Sequence, residues 1–110
     1  MNASLFGAYM KTITFRKVQM GENTLDYKAQ LIGIMQTPMD PQRGAGIEEV
    51  RKSVRVLDTL DKAGDDQVEL EDADYAHVVE KIKAARYLML TREVLQFIDD
   101  MLAPSKVKEG

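Results

Sequence analysis

The alternation of hydrophobic and polar positions is clearest near the start of the chain. In residues 11–18, KTITFRKV, Ile13 and Phe15 share one face, while Thr12, Thr14 and Arg16 take the other. That is the period-two pattern of a half-buried strand rich in β-branched and aromatic side chains. Gly21-Glu22-Asn23 marks a turn, and Asn23 or Thr24 is placed to cap a helix with Asp26 in its first turn. Leu25, Ala29, Ile32 and Met35 then recur at helical spacing with Leu31 beside them. Gly33 and the β-branched Ile32 and Ile34 keep a short strand near residues 30–35 open as an alternative. Residues 37–46, TPMDPQRGAG, break the pattern with two prolines and two glycines, a loop with turn chemistry at Asp40-Pro41 and Arg43-Gly44.

The most regular stripe follows. Ile47, Val50, Val54 and Leu57 define a second helix, with Glu48 and Glu49 in its first turn and Gly64 where a C-terminal glycine stop belongs. Val68-Glu69-Leu70 reads as a short edge strand pairing with residues 11–18. Asp72 opens a third helix with the stripe Tyr75, Val78, Val79, Ile82 and Ala85. Thr91 is placed to cap a fourth, which carries Val94, Leu95, Phe97, Ile98, Met101 and Leu102 on a wide apolar face. The expected fold is α+β and mostly helical: three to four short helices with a small two-stranded antiparallel element. Residues 10–103 form the expected single domain. Residues 1–9, MNASLFGAY, are uncharged and read as a loose extension, with docking of Leu5, Phe6 and Tyr9 on a partner as the alternative. Residues 104–110 read as a flexible tail after Pro104.

Composition narrows the chemistry. A chain of 110 residues has interior for one core. Without cysteine there is no disulfide framework, thiolate metal site or cysteine nucleophile, and a single histidine argues against an imidazole-based zinc or triad site. No metal and no cofactor are expected. Seven methionines and the absence of tryptophan point to an aliphatic core. The pattern of neither a signal peptide nor a membrane span is present, so the expected location is the cytoplasm.

Charge changes the picture more. Asp58, Asp61, Asp65, Asp66, Glu69, Glu71, Asp72 and Asp74 face the single cation Lys62, so this segment carries −7 in a chain of net charge −3 and the remainder is +4. No register of this run supplies the oxygen spacing, glycine and terminal Glu of a calcium loop. A paired-carboxylate active site would need a positioning shell that the sequence does not show. An acidic docking face for another protein is the functional expectation, against a solvated turn with carboxylates at a helix start.

Arg43, Arg51, Lys52 and Arg55 form the basic counterpart and give the alternative reading, a nucleic-acid-linked regulator that binds phosphate through the basic face of helix 47–63, although Glu48 is spaced to pair within the helix with Arg51 and Lys52. The acidic balance argues against a general nucleic-acid binder. Arg43-Gly-Ala-Gly46 lacks the Gly-Lys-Ser/Thr of a phosphate loop. His77 falls beside the third helix's stripe and reads as a boundary residue. Ser4, Ser53 and Ser105 have no nucleophile elbow, and Tyr27, Tyr75 and Tyr87 are too dispersed for a base-stacking platform.

The apolar stripes are expected to be mostly core, with self-association through the second or fourth helix as a further possibility. On the fourth helix that surface would be Val94, Phe97, Ile98 and Met101. Leu25-Asp-Tyr-Lys…Gln30-Leu-Ile, Thr37-Pro…Pro41-Gln-Arg-Gly44, Arg55-Val-Leu-Asp58, Leu70-Glu-Asp-Ala-Asp74 and Phe97-Ile-Asp-Asp100 together resemble, in layout, small proteins of bacteriophage genomes. The resemblance spans roughly residues 25–102 and implies a phage or prophage accessory or assembly factor, in the host cytoplasm or the virion, that binds a phage or host protein. It brings no catalytic residues. The expectation is a non-enzymatic interaction module.

Overall fold

The computed structural model describes residues 10–103 and the backbone of 105–106; the expected N-terminal extension and most of the expected tail lie outside the described residues. The fold is α+β and mostly helical. Strand β1 (Met10–Thr14) is the centre of a three-stranded antiparallel sheet. On one side it pairs with β4 (Gln67–Glu71), Ile13 opposite Val68, as the alternation predicts. On the other, Ser105–Lys106, within the expected tail, adds a two-residue strand β5. Ile13 and Phe15 both face the core, and the Phe15 N–H extends the pairing to the Asp66 carbonyl at 2.7 Å.

The strand read over residues 11–18 is in fact two. After a break at residues 15–16, β2 (Lys17–Met20) forms a separate hairpin with β3 (Asn23–Asp26). Gly21, at φ 63°, takes the left-handed first position of the two-residue connection, which only glycine adopts without strain. Asn23 and Thr24 are thus strand residues and not caps. Asp26 caps helix α1 (Tyr27–Met35) instead, its carboxylate accepting from the N–H groups of Lys28 at 3.0 Å and Ala29 at 3.3 Å. The helix buries Tyr27, Leu31, Ile34 and Met35, leaving Ala29 exposed and Ile32 half-buried, and no strand forms at 30–35.

The connection to helix α2 (Ile47–Lys62) is an exposed loop, tightened where the Asp40 carboxylate accepts from the N–H of Gln42 and of Arg43 at 3.1 and 3.3 Å. Gly44, at φ 83°, is its left-handed position. Gly64 does not provide a left-handed stop for α2. The terminal carbonyls of Ala63 and Gly64 instead accept from the Lys28 ammonium at 3.0 and 3.2 Å. Helix α3 (Asp72–Ala84) begins at Asp72 as expected and buries Tyr75, Val78 and Ile82. Helix α4 (Arg92–Leu102) is capped by Thr91, which accepts from the Val94 N–H at 3.2 Å.

The core fills the space between the three-stranded sheet and the helices. Phe97 and Met101 of α4 are fully buried, and the Phe97 ring meets that of Tyr27 edge-on at 5.1 Å. Two hydroxyls fasten the same helix: Tyr27 donates to the Asp100 carboxylate at 2.7 Å, and Tyr75 to the Met101 carbonyl at 2.6 Å. Burial, with the hydrogen bond to Asp100, pushes the Tyr27 hydroxyl up to about 12, so it remains a donor. No helix among the described residues is long and apolar enough to cross a membrane.

Candidate functional site

Helices α2 and α3 run antiparallel, joined by a ladder of polar pairs. Arg55 Nε meets Asp74 Oδ1 at 3.0 Å, Ser53 Oγ and His77 Nε2 share a hydrogen bond at 2.9 Å, and Lys81 Nζ donates to Glu49 Oε2 at 2.9 Å. Ser53, Asp74, His77 and Lys81 are all buried, the last two only 3% exposed. The last pair also holds the preceding loop, because Lys81 donates to the Thr37 carbonyl and the Met39 N–H donates to Glu49 at 2.8 Å. The buried ammonium thus has two acceptors, one of them a carboxylate, as burying a cation requires.

The ladder also sets its members' protonation. Burial works to raise Glu49, but the hydrogen bonds from Lys81 and the Met39 N–H, together with the Lys81 charge, outweigh it and hold the carboxyl below its ordinary range. Burial first, then the Lys81 charge, lowers His77, which is therefore a neutral imidazole near pH 7. His77 is not the boundary residue its sequence position suggested. Its Nδ1 has no hydrogen-bond partner and lies 3.7 Å from the exposed Glu80 carboxylate. That separation exceeds hydrogen-bond reach, so the imidazole is held on its Nε2 side by Ser53 alone. The pair's evident work is to fix α2 on α3.

Fixing α2 this way turns its best apolar stripe outward. The buried side carries Glu49, Ser53, Val56 and Leu60, and the stripe of Ile47, Val50, Val54 and Leu57 lies roughly 100° further round, since successive residues are about that far apart. Ile47 is 70% exposed, Val50 49% and Val54 46%, and Leu57 is half-buried. Along one flank of this stripe runs an apolar groove of about 300 Å³, bordered by Met35, Pro38, Ala45, Val50, Val54 and Leu57. A second cleft of about 320 Å³ opens between α1 and α3, and Lys81 and Pro38 touch both. The surface expected on α4 for self-association is the opposite case. Phe97 and Met101 are core, and Val94 and Ile98 are half-buried, because the helix seats its aromatic side against Tyr27.

The acidic run is divided by its neighbours. Asp74 is buried against Arg55, Asp72 is paired with Lys11 at 2.7 Å, and Asp65 lies 3.9 Å from Lys28. Asp58 and Asp61 on α2, Asp66 in the connection, and Glu69 and Glu71 on the outward side of β4 are exposed and have no ion-pair partner among the described residues. Of the basic group, Arg55 is engaged by Asp74. Arg43, Arg51 and Lys52 are exposed, and the expected pairing of Glu48 with Arg51 and Lys52 is not formed among the described residues. Among the same residues no cluster of three or more His, Asp or Glu stands close enough to hold a metal ion.

The residues that organise this surface, Glu49, Ser53, His77 and Lys81, were missed because each looks incidental within its own helix. Their one signal is reciprocal spacing, Glu49 and Ser53 four apart on α2, His77 and Lys81 four apart on α3. Comparisons with family models, with curated proteins and with solved structures find no match to this chain.

Proposed function

We propose that this chain is a non-enzymatic protein–protein interaction module that recognises a basic partner through its acidic face. The observation that carries this reading is the set of exposed, unneutralised carboxylates Asp58, Asp61, Asp66, Glu69 and Glu71 on the C-terminal half of α2 and on β4, an edge strand of its sheet. Complementary charge at an interface steers encounter and selects partners more than it adds affinity. The resemblance in sequence layout to small bacteriophage proteins favours an accessory or assembly role, in the host cytoplasm or the virion. The phosphate-binding alternative is weaker because Arg55 is already committed to Asp74.

The test uses an extended Lys- and Arg-rich peptide as probe, titrated at low and moderate salt. The chain binds it with an affinity that falls as salt rises, and reversal of Asp61, Asp66, Glu69 and Glu71 to Lys removes binding while the circular dichroism spectrum is unchanged. Equal binding by the reversed variant would overturn the acidic-face reading.

A further inference from the structure

Strand β4 leaves one of its two backbone edges unpaired, because it stands at the end of its sheet with β1 on one side only. The bond from the Phe15 N–H to the Asp66 carbonyl fixes the parity of the ladder, so Asp66, Val68 and Leu70 turn their N–H and C=O groups toward β1. The same groups of Gln67 and Glu69 turn away from it and have no hydrogen-bond partner among the described residues. The side chains of Gln67, Glu69 and Glu71 lie on the outer face of the sheet, since Val68 and Leu70 fill the core. Beside the free edge a cleft of about 340 Å³ opens between Thr59, Lys62 and Ala63 at the end of α2 and residues Gln67, Val68 and Glu69. A row of free backbone donors and acceptors with room beside it is a template for one further strand.

We infer that the occupant of this edge is an extended segment of the basic partner, added along β4 as a further strand, with Lys or Arg at alternate positions and small polar residues between them. Such pairing rests on the acidic-face reading and gives that face its mode of recognition. Residues directly opposed on neighbouring strands point to the same side of a sheet. Every second side chain of the incoming strand therefore emerges beside Glu69 or Glu71. No cation of the sheet competes for them there, because β1 presents Met10, Thr12 and Thr14 on that face. The intervening side chains turn toward the helices, where Lys62 borders the cleft and a further cation would meet like charge. Small polar residues fit that side. The same carboxylates turn away a second copy of this chain: two β4 strands fully overlapped in antiparallel fashion set Glu69 opposite Glu69. An edge guarded in this way against its own kind still accepts a strand of opposite charge.

The probe is a short peptide with Lys at alternate positions and Thr between, titrated into the full chain. Two further peptides of identical charge carry N-methyl groups, one on the Lys nitrogens and the other on the Thr nitrogens. An added strand turns only alternate N–H groups toward its neighbour, whichever way it runs. One methylated peptide therefore binds within a few-fold of the parent peptide, and the other roughly tenfold or more weakly, through lost backbone bonds alone. Amide hydrogen exchange at Gln67 and Glu69, read by NMR, slows when the parent peptide is added. Equal affinity for the two methylated peptides, or exchange at Gln67 and Glu69 that does not respond, overturns strand addition. If binding in that case still falls with salt and is lost on reversal of Asp61, Asp66, Glu69 and Glu71, the acidic-face reading stands. No binding of any of the peptides overturns both. Exchange at the two amides that slows with chain concentration alone assigns the edge to a second copy and overturns the proposal.

Discussion

Helices α2 and α4 are both strongly amphipathic, with apolar residues at the same three-and-four spacing, yet they resolve that pattern in opposite ways. On α4 the aromatic side goes inward, Phe97 and Met101 filling the hollow beside Tyr27, with polar bonds at its margin. On α2 the most regular stripe goes outward and a row containing Glu49 and Ser53 goes in. What differs is the surface each helix meets. Helix α3 offers α2 a buried His77 and a buried Lys81, and an unpartnered buried ammonium costs several kcal/mol even after relaxation. Leaving Val50 and Val54 about half in water, and Ile47 70% exposed, forgoes only part of the 1.5–3 kcal/mol that full burial of each would bring. Amphipathicity gives the direction of a helix's apolar side relative to its own axis; the neighbour decides whether that side faces the core.

The contrast can be broken from either end. Phe97→Ala should cost the most, about 3–5 kcal/mol in a denaturant titration, because it empties a fully buried ring site. Next, Lys81→Ala should cost about 3 kcal/mol by stranding the Glu49 carboxylate, and the double variant E49L/K81M should recover much of that loss. Within α2, Val56→Ala should cost about 2 kcal/mol, since Val56 is fully buried.

A pH series sharpens the picture of the ladder. His77 is held below its ordinary 6.5 in the folded chain, so the unfolded chain takes up the proton first. Stability is full above pH 6.5 and falls as pH drops below it, by at most about 1.4 kcal/mol per pH unit for one proton. Glu49, also held low, adds a further loss as pH falls through the carboxylate range below 4.5. His77→Gln should flatten the first slope and leave the second. The smallest effect is expected at Val54→Ala, within about 0.5 kcal/mol of the parent, one helical step from the buried Ser53.

Much of the fold was legible because it depends on patterns that local sequence carries. The pairing of β1 with β4 follows from two alternating runs whose apolar members, Ile13 and Val68, sit opposite each other. The Thr91 cap and the α3 stripe are equally local. The start of α1 was misplaced because Thr24 and Leu25 are recruited into a hairpin with Gln19 and Val18, a competition that a helical reading of the turn does not see. The orientation of α2 was hidden for a different reason. It depends on Ser53 meeting His77 and Glu49 meeting Lys81, partners 24 and 32 positions apart whose contact exists only once α1, α2 and α3 are packed. The acidic run was visible as charge, but Lys11 and Arg55, which neutralise Asp72 and Asp74, reach those residues only in the folded chain.

The clasp on Thr37 and Met39 has a consequence for chain cleavage. The loop beyond it is exposed, with Arg43 next to the left-handed Gly44, and offers a protease a site after Arg43. Yet the segment just before that site is bonded to Lys81 and Glu49, and β1, on the same side of the cut, is paired along its length with β4 on the other. A trypsin nick there would therefore yield two polypeptides that stay together as one folded particle, parting only under denaturant. Covalent continuity through the loop matters to how the chain is made, and far less to how it holds.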